Sequence, residues 1–517
     1  MKRINIYTVI LLTLLVGLQG CELQSEQFSQ VDPAIYPNTA NDARDLVTSA
    51  AYHPFRNDWY DGVFNGATGY FLDVDMTTDY GYCSWDDAGN WFRVMFAQWT
   101  PNDTRNITNI WRDYLNKISK MTLTIDRIQP IRMDEKLKEQ YVAELRCGRG
   151  FMAFIQWDMY GPIVVSSLEN LKNPMDRQIL PRLSEEATRE YIVTELTEAA
   201  KVLPYSYKKG DANYGRFTKG LCHTVLMKFY MQTKQWDKAI TEGRELMKAD
   251  YGYDLLPSYV DLFTRAHEKN VETIFSIDCK AGTMESGWYP HALPSDYVKP
   301  GVWSGGGWGG YKMTWEFFDT FEPDDERTTY IISEYSYERK VKDKDGQDSI
   351  VIVVRDRDHK GTDGGNCLQH GVIPLKYNLE PVNGDGCDID FMVYRYADVL
   401  TLLSEAIVRQ GNAVTGEAIS LLNQVRTRAK LTAYTAGDFA DARDFLDKLL
   451  MERAHELWYE GCRRQDLIRD GSYIEAMKAK CEAYGQPFIA TENYTRFPIQ
   501  ESIIIAGQGI VKQNDGY

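Results

Sequence analysis

Residues 216–249, RFTKGLCHTVLMKFYMQTKQWDKAITEGRELMKA, decide the fold that we predict for this chain of 517 residues. Apolar residues recur at the spacing of one buried helix face over residues 216–233 and again over residues 236–249. Only Lys234 and Gln235 separate the two stretches, which leaves room for a short turn. The sequence therefore predicts an antiparallel helix pair of tetratricopeptide type, with small residues where the helices approach each other.

Helical periodicity also occurs on both sides of this pair. One helix is predicted over residues 185–203, where Pro204 ends it. In the C-terminal half the apolar spacing predicts further helices near residues 393–407, 418–429 and 442–459. Stacked helix pairs form a superhelical scaffold because each pair buries its apolar face against the next. The predicted fold class is therefore mostly α.

Residues 253–390 differ from the helical parts in composition. They are rich in Gly, Pro, Asp and aromatic residues, and residues 271–277 and 349–355 have the pattern of short strands. A polar insert at residues 340–347 precedes the second of these strands. Binding residues commonly lie on loops held by a rigid scaffold, so we expect the ligand-facing surface in this region.

The N-terminus has the features of a lipoprotein signal. A basic pair precedes an apolar run over residues 6–18, and Cys21 follows directly after Gly20. This run is too short to cross a bilayer, which needs about 20 residues. We therefore predict a cleaved signal peptide over residues 1–20 and lipidation at Cys21, so that acyl chains hold the protein on a membrane. An ordinary secretory signal with an incidental cysteine is the alternative.

The rest of the chain, residues 21–517, is predicted to form one large body. Its helical scaffold comprises about residues 40–250 and 391–470, and the loop-rich region lies between them. With 44% hydrophobic residues it can bury a large core, and a net charge of −16 without a basic cluster argues against a nucleic-acid surface. Neither the nine cysteines nor the seven histidines have the spacing of a known metal site, and we predict no cofactor.

A series of short motifs extends over nearly the whole body. In chain order they occupy residues 143–154, 159–162, 214–220, 270–275, 394–406, 422–429, 452–467, 497–499 and 513–517. Their sequences and their order resemble the SusD/RagB family, the surface lipoproteins of Bacteroidetes that capture nutrients for a partner transporter. The chain departs from the family pattern at a few positions, for example at Asp515, where a proline is common.

The resemblance implies a function as well as a fold. It implies a lipid-anchored protein on the outer membrane that binds an oligosaccharide or polysaccharide and delivers it to a SusC-like TonB-dependent transporter. It also implies that the protein is not an enzyme. A peptide-binding member of the same family and, in another class, a lipoprotein glycosidase are the alternatives.

Charged residues of the C-terminal motifs are the candidates for glycosidase chemistry, in which two carboxyl groups act as acid and base. They are Glu452, Arg453, Glu456, Glu460, Arg463 and Asp466, together with Arg395, Asp398 and Glu405. Because arginines flank the acids along the chain, we expect ion pairs within the scaffold instead.

Aromatic residues in the loop-rich region are the first candidates for contact with a glycan. The stretch 305–310, GGGWGG, formally matches a dinucleotide fingerprint, but no clear strand precedes it. An indole or phenol face packs well against the apolar C–H face of a sugar ring. We therefore expect this region to present the rings of Trp288, Tyr289, Trp303, Trp308 and Tyr311 to the ligand.

A second aromatic and acidic loop, residues 73–91, is predicted to lie near the ligand because the resemblance places the corresponding family segment there. Tyr82 and Trp85 are candidates for stacking, and Asp75 is a candidate acceptor for sugar hydroxyls. Further candidates in the same loop are Asp79, Tyr80, Asp86 and Asn90. A solvated loop and an incidental calcium site are the alternatives, although Thr78 occupies the position of the glycine in a calcium loop.

Overall fold

The computed structural model describes residues 36–57, 62–66, 69–85, 90–102, 110–173, 175, 177–342, 344–359, 368–381 and 386–517. The predicted signal peptide, the predicted lipidation site Cys21 and the candidate Asp86 lie outside the described residues, as does the side chain of Asn90.

Helices form most of the regular structure in these described ranges. They are α1 (Ala40–Val47), α2 (Tyr70–Met76), α3 (Asn90–Met95), α4 (Ile110–Ile128), α5 (Glu135–Tyr160), α6 (Leu168–Lys172), α7 (Glu185–Ala200), α8 (Lys219–Gln232), α9 (Trp236–Leu246), α10 (Tyr259–Leu262), α11 (Trp288–Ala292), α12 (Trp315–Phe318), α13 (Tyr396–Gly411), α14 (Gly416–Arg428), α15 (Ala442–Glu456), α16 (Arg463–Asp470), α17 (Tyr473–Ala483) and α18 (Glu501–Ala506). The predicted class, mostly α, is confirmed.

The predicted helix pair is present as α8 and α9, which pack against each other. Thr218 caps the start of α8, where its side chain accepts a hydrogen bond from the N–H of Leu221. Lys234 has a φ of 56°, and this left-handed residue reverses the chain between the helices. At Gly243 an added Cβ would lie 2.8 Å from Cε of Met227, so the small residue permits close packing of the pair.

The other predicted helices are present as α7, α13, α14 and α15. The helix α13 begins three residues later than the periodicity indicates because residues 391–395 form a strand, in which all five residues are buried. A fully buried strand has apolar residues on both faces, so its pattern is not distinct from that of a buried helix. The boundary between strand and helix at Arg395 was therefore not readable from the spacing.

Eight short strands are described, and they form four separate antiparallel pairs. The strands are β1 (Gly81–Cys83), β2 (Thr273–Ile277), β3 (Tyr311–Met313), β4 (Ile331–Ile332), β5 (Tyr335–Lys342), β6 (Asp348–Arg355), β7 (Ile373–Pro374) and β8 (Phe391–Arg395). The pairs are β1 with β3, β2 with β8, β4 with β7, and β5 with β6. The predicted strands correspond to β2 and β6, and the first residues of the predicted polar insert continue β5.

Buried ion pairs hold the C-terminal motifs together. Nε of Arg395 lies 2.8 Å from the carboxylate of Glu460, and Nη1 of Arg395 lies 2.8 Å from that of Glu272. Burial alone would raise the pKa of Glu456, but three neighbouring arginines lower it to about 2. Further pairs of this kind are Arg453–Asp398, Arg453–Asp466, Arg327–Glu452, Arg469–Glu405 and Arg463–Asp79. The charged residues of these motifs thus lie in the scaffold, each paired with a residue of opposite charge.

No helix in the described part of the chain is both long and apolar enough to span a membrane. Seven cysteines lie within the described ranges, and all seven are buried, unlinked thiols. Two of them, Cys147 on α5 and Cys222 on α8, are in contact, with their sulfur atoms 3.5 Å apart.

Candidate functional site

Trp85 and Trp308 meet at the surface of the loop-rich region, and we call these two residues the aromatic corner. Their ring centroids lie 6.5 Å apart and the ring planes meet at 65°. The indole N–H of Trp85 donates a hydrogen bond of 3.1 Å to the main-chain oxygen of Trp308. Trp308 is 45% exposed and Trp85 is half-buried, so both rings have surface available to a ligand.

Two buried rings support the aromatic corner. The ring of His291 lies 4.7 Å from that of Trp308 and stacks on the ring of Tyr311 at 5.4 Å. Tyr311 in turn lies 5.5 Å from the ring of Trp85. Burial lowers the pKa of His291 to about 4, although its contact with the carbonyl of Gly287 opposes this shift. The imidazole is therefore uncharged at neutral pH, and the support beneath the corner is uncharged.

Three elements bring these rings together. The strand β1 pairs with β3, and Trp85, two residues beyond β1, packs against Tyr311 on β3. The helix α11 supplies the carbonyl of Pro290, which accepts a hydrogen bond of 2.5 Å from the N–H of Trp308. A glycine is needed at Gly310, where an added Cβ would lie 2.3 Å from the indole of Trp85. The glycines around Trp308 thus permit the close packing of the loop.

The predicted exposure of Trp303 is wrong. This side chain is only 7% exposed, and its ring lies 6.2 Å from that of the buried Tyr289. The main chain of Trp303 pairs with that of Lys299, which folds the loop back on itself. The hydroxyl of Tyr289 donates a hydrogen bond to the main-chain oxygen of Asn378. Trp303 and Tyr289 therefore lie in the core of the loop-rich region, without a face open to a ligand.

Trp288 and Tyr311 are also buried, contrary to the prediction. Nε1 of Trp288 donates a hydrogen bond of 2.7 Å to the main-chain oxygen of Leu375. The hydroxyl of Tyr311 donates one of 3.3 Å to the main-chain oxygen of Gly66. The two rings lie 5.5 Å apart, and Tyr311 contacts Trp85. They form the base of the aromatic corner and not its surface.

Tyr82 lies apart from the aromatic corner. It is only 8% exposed, and its ring stacks with those of His370 and Tyr484 at centroid distances of 4.9 and 5.1 Å. The predicted open face of Tyr82 is therefore wrong. It lies beneath a surface cavity whose lining includes His370 and Tyr484.

Asp75 is fully buried, so its predicted contact with sugar hydroxyls is wrong. Its carboxylate accepts a hydrogen bond of 2.8 Å from the main-chain N–H of Gly461, at the end of a C-terminal motif. Burial raises the pKa of Asp75 to about 7, and the hydrogen bond to Gly461 only partly opposes this shift. Asp75 lies on α2, so the predicted loop is helical at this point, and the residue joins α2 to the scaffold.

His291 also belongs to this site, although it is not among the residues predicted from the sequence. It follows Trp288, Tyr289 and Pro290 directly, within the aromatic segment that was predicted to face the ligand. A histidine in an aromatic segment could have indicated this role, because an uncharged imidazole packs like an aromatic ring. Its contacts with Trp308 and Tyr311 form because the loop after Trp303 packs against α11.

The chain is similar to known proteins of the SusD family. The model of the SusD family matches residues 354–517. The SusD-like protein P38 of Formosa agariphila is 24% identical over 503 residues, which cover 92% of this chain and 93% of that protein. The starch-binding protein SusD of Bacteroides thetaiotaomicron is 23% identical over 505 residues, which cover 88% of this chain and 87% of that protein.

A solved structure has the same fold. It is the surface glycan-binding protein A from Bacteroides thetaiotaomicron in complex with laminarihexaose. The two chains are 20% identical and superpose with a TM-score of 0.71, over 92% of this chain and 100% of that chain. The chain therefore shares the fold of this protein, matches the SusD family model over residues 354–517 and is similar to SusD-like proteins over most of its length.

Proposed function

We propose that the protein binds oligosaccharides or polysaccharides at the aromatic corner and delivers them to a SusC-like TonB-dependent transporter. The observation that carries the proposal is the exposed indole of Trp308, held against the indole of Trp85. A protein of the same fold has been solved with a bound laminarihexaose, which supports a glycan as the class of ligand.

The aromatic corner suits a sugar ring for physical reasons. The C–H face of a pyranose is apolar and can pack against the exposed face of Trp308, while the half-buried Trp85 contacts the edge of the sugar. The hydrogen bond between the two tryptophans and the buried ring of His291 fix the corner before a ligand arrives. Little side-chain entropy is then lost on binding, which favours affinity from a small contact area.

We infer binding without bond cleavage. Of the carboxylates that a glycosidase would need, those of Glu460 and Asp466 are buried and face the guanidinium groups of Arg395 and Arg453. In a glycosidase, two carboxyl groups instead flank the bond that is broken. The ion pairs support a scaffold role for these residues, because a buried carboxylate held by a guanidinium is out of hydrogen-bond reach of a substrate.

We also infer that acyl chains on Cys21 hold the protein at the outer membrane, next to its transporter. The signal sequence supports the anchor, and the match to the SusD family model supports the partner. Stable protein interfaces bury about 1,200–2,000 Å². Tagged protein extracted in mild detergent should therefore bring a barrel-sized membrane protein with it. Recovery of the tagged protein alone would contradict the delivery role.

The body without its lipidation site, residues 22–517, is suited to experiments that distinguish glycan binding, peptide binding and glycan hydrolysis. In native gels that contain laminarin, starch, xylan or pectin, we expect at least one polysaccharide to retard the protein. Mass spectrometry of the corresponding oligosaccharides after incubation should show them intact. Retardation by none of the four, with binding to a peptide mixture, favours the peptide-binding alternative. Release of reducing ends favours the glycosidase.

A further inference from the structure

A surface cavity of about 530 Å³ is lined by the start of α12 with Asp319 after it, by Arg357 beyond β6, by Gln369 and His370 before β7, and by the end of α17 with Tyr484. We call it the Tyr484 groove. We propose that the Tyr484 groove is a second saccharide-binding site, which takes an uncharged sugar residue. This inference rests on the proposed function, because it presumes that the protein binds a glycan.

Tyr484 and His370 form one wall of the groove, and the ring of Tyr82 stacks behind them. The buried Tyr82 stacks with Tyr484 at 5.1 Å and with His370 at 4.9 Å, each with an interplanar angle of 27°. The hydroxyl of Tyr484 donates a hydrogen bond of 2.7 Å to the main-chain oxygen of His370, which fixes the orientation of the ring. Tyr484 and His370 are both half-buried and line the cavity. Fixed aromatic rings with one accessible side are what a sugar ring needs for stacking.

Arg357 supplies fixed donors on another wall. Its Nη2 atom lies 2.5 and 2.6 Å from the two carboxylate oxygens of Asp319. Its guanidinium also lies over the ring of Trp315, 4.6 Å from the centroid. Within the described residues these contacts engage one of the three guanidinium nitrogens in hydrogen bonds, so Nε and Nη1 remain available to a ligand.

The charges of the groove indicate which kind of sugar it takes. The exposed carboxylates of Glu316 and Asp319 and the guanidinium of Arg357 line the cavity, together with the amide of Gln369. Two negative charges and one positive charge disfavour a uronic acid or a sulfated sugar. A neutral sugar meets no such repulsion, because its hydroxyls donate to the carboxylates and accept from the guanidinium and the amide.

The Tyr484 groove and the aromatic corner lie on opposite faces of the ribbon formed by β1 and β3. Cys83, the residue after Tyr82, lies opposite Tyr311 in this ribbon. Neighbouring residues of a strand point to opposite faces. Tyr82 contacts Tyr484, whereas Tyr311 contacts Trp85. The two sites are therefore separate, and a long polysaccharide that reaches both gains avidity from the second contact.

Native mass spectrometry of residues 22–517 counts the sugars bound. The probes are laminarihexaose, maltohexaose, cellohexaose and xylohexaose. For the hexasaccharide that binds, we expect two molecules per chain. The variant Trp308→Ala should keep one, in the Tyr484 groove, and Arg357→Gln should keep one, at the aromatic corner. Tyr484→Ala tests the same groove through its ring, and circular dichroism establishes that each variant is folded.

Arg443→Gln is the matched control. The side chains of Arg443 and Arg357 are 53% and 51% exposed, and each is paired with aspartate. Arg443 pairs with Asp447 and Asp470 on the helical scaffold, away from both sites. Its replacement should leave the number of bound hexasaccharides unchanged.

The possible outcomes separate this inference from the proposed function. One hexasaccharide per chain, lost completely in Trp308→Ala and retained in Arg357→Gln and Tyr484→Ala, would overturn the second site and leave the proposed function intact. No binding of any hexasaccharide, together with no retardation by any polysaccharide, would overturn the proposed function itself and this inference with it.

Discussion

The indole nitrogen of Trp85 lies 3.1 Å from the main-chain oxygen of Trp308, although 223 residues separate them along the chain. This hydrogen bond joins two loops that are separate candidates in the sequence. It depends on the pairing of β1 with β3, which brings Trp85 against Tyr311. The proposed binding surface is therefore formed by tertiary structure, and the strand pairing behind it fixes the relative position of its two indoles.

Replacement of Trp308 by alanine should weaken glycan binding by about 1–3 kcal/mol, the usual cost of losing an aromatic contact at a small interface. The side chain is 45% exposed, so the melting temperature should change little. Isothermal titration calorimetry and thermal unfolding measure the two effects. Unchanged affinity would mean that the binding site lies elsewhere.

Trp303→Ala is the matched control for this prediction. The two tryptophans lie in the same loop, but Trp303 is only 7% exposed and packs against Tyr289. Removal of a buried tryptophan costs about 3–5 kcal/mol of the free energy of unfolding. We expect Trp303→Ala to lower the melting temperature. The fraction of this variant that remains folded should still bind glycan. The opposite pattern, normal stability with specific loss of affinity, would restore Trp303 to the binding surface.

Comparison of these residues indicates how far the sequence predicts the structure. The helices α8 and α9 were readable because their apolar spacing is local and a short turn joins them. The burial of Trp303 was not readable, because it depends on how a glycine-rich loop folds back. At Gly307, for example, an added Cβ would lie 2.0 Å from the carbonyl oxygen of Leu293, which shows how closely the loop approaches α11.

The candidate site was predicted only in part, because its geometry also depends on contacts between distant parts of the chain. Trp85 and Trp308 were both candidates, but their contact was not predicted because no local pattern links residues so far apart. The aromatic and acidic composition of residues 73–91 predicts a surface acceptor at Asp75. Its burial follows from a contact with the N–H of Gly461, 386 residues away. The local sequence indicates which residue types can bind a glycan. Only the long-range packing determines which of these residues are exposed to a ligand and which are buried beneath them.

Asp75 should make the stability of the protein depend on pH. Its pKa in the folded state is raised to about 7, whereas that of an unfolded aspartate is about 3.9. The folded state therefore binds more protons than the unfolded state between these values, and stability falls as pH rises from about 4 to 7. The slope for one proton is at most about 1.4 kcal/mol per pH unit.

Asp75→Asn tests this dependence, because the amide oxygen can still accept the hydrogen bond from Gly461 but no longer titrates. Urea unfolding at intervals from pH 4 to 8 should give a smaller fall in stability for the variant than for the wild type. Part of the slope should remain, since burial also raises the pKa of Asp390 to about 7. Identical slopes for both proteins would contradict the titration of Asp75 in this range.

Glu456→Gln should lower stability without a specific chemical defect. The carboxylate of Glu456 is fully buried and contacts the guanidinium groups of Arg395 and Arg428. Loss of one partner from a buried ion pair typically costs about 3–5 kcal/mol, because the remaining charge is left uncompensated. Chemical denaturation measures this loss of stability. The folded variant should bind glycan with the affinity of the wild type. A stable variant that had lost a glycan-cleaving activity of the wild type would instead support the glycosidase.

Cys21→Ala should release the protein from the membrane. Acyl chains contribute about 0.8 kcal/mol per buried CH₂ group, and two or more chains are needed for a stable anchor. With the acyl acceptor removed, the full-length protein should no longer fractionate with outer membranes, and metabolic labelling with a fatty acid should give no signal. Trp308→Ala, which alters only the aromatic corner, is the control and should stay in the membrane fraction with its label. A Cys21→Ala protein that stays membrane-bound after a high-salt wash would show that the signal at Cys21 was misread.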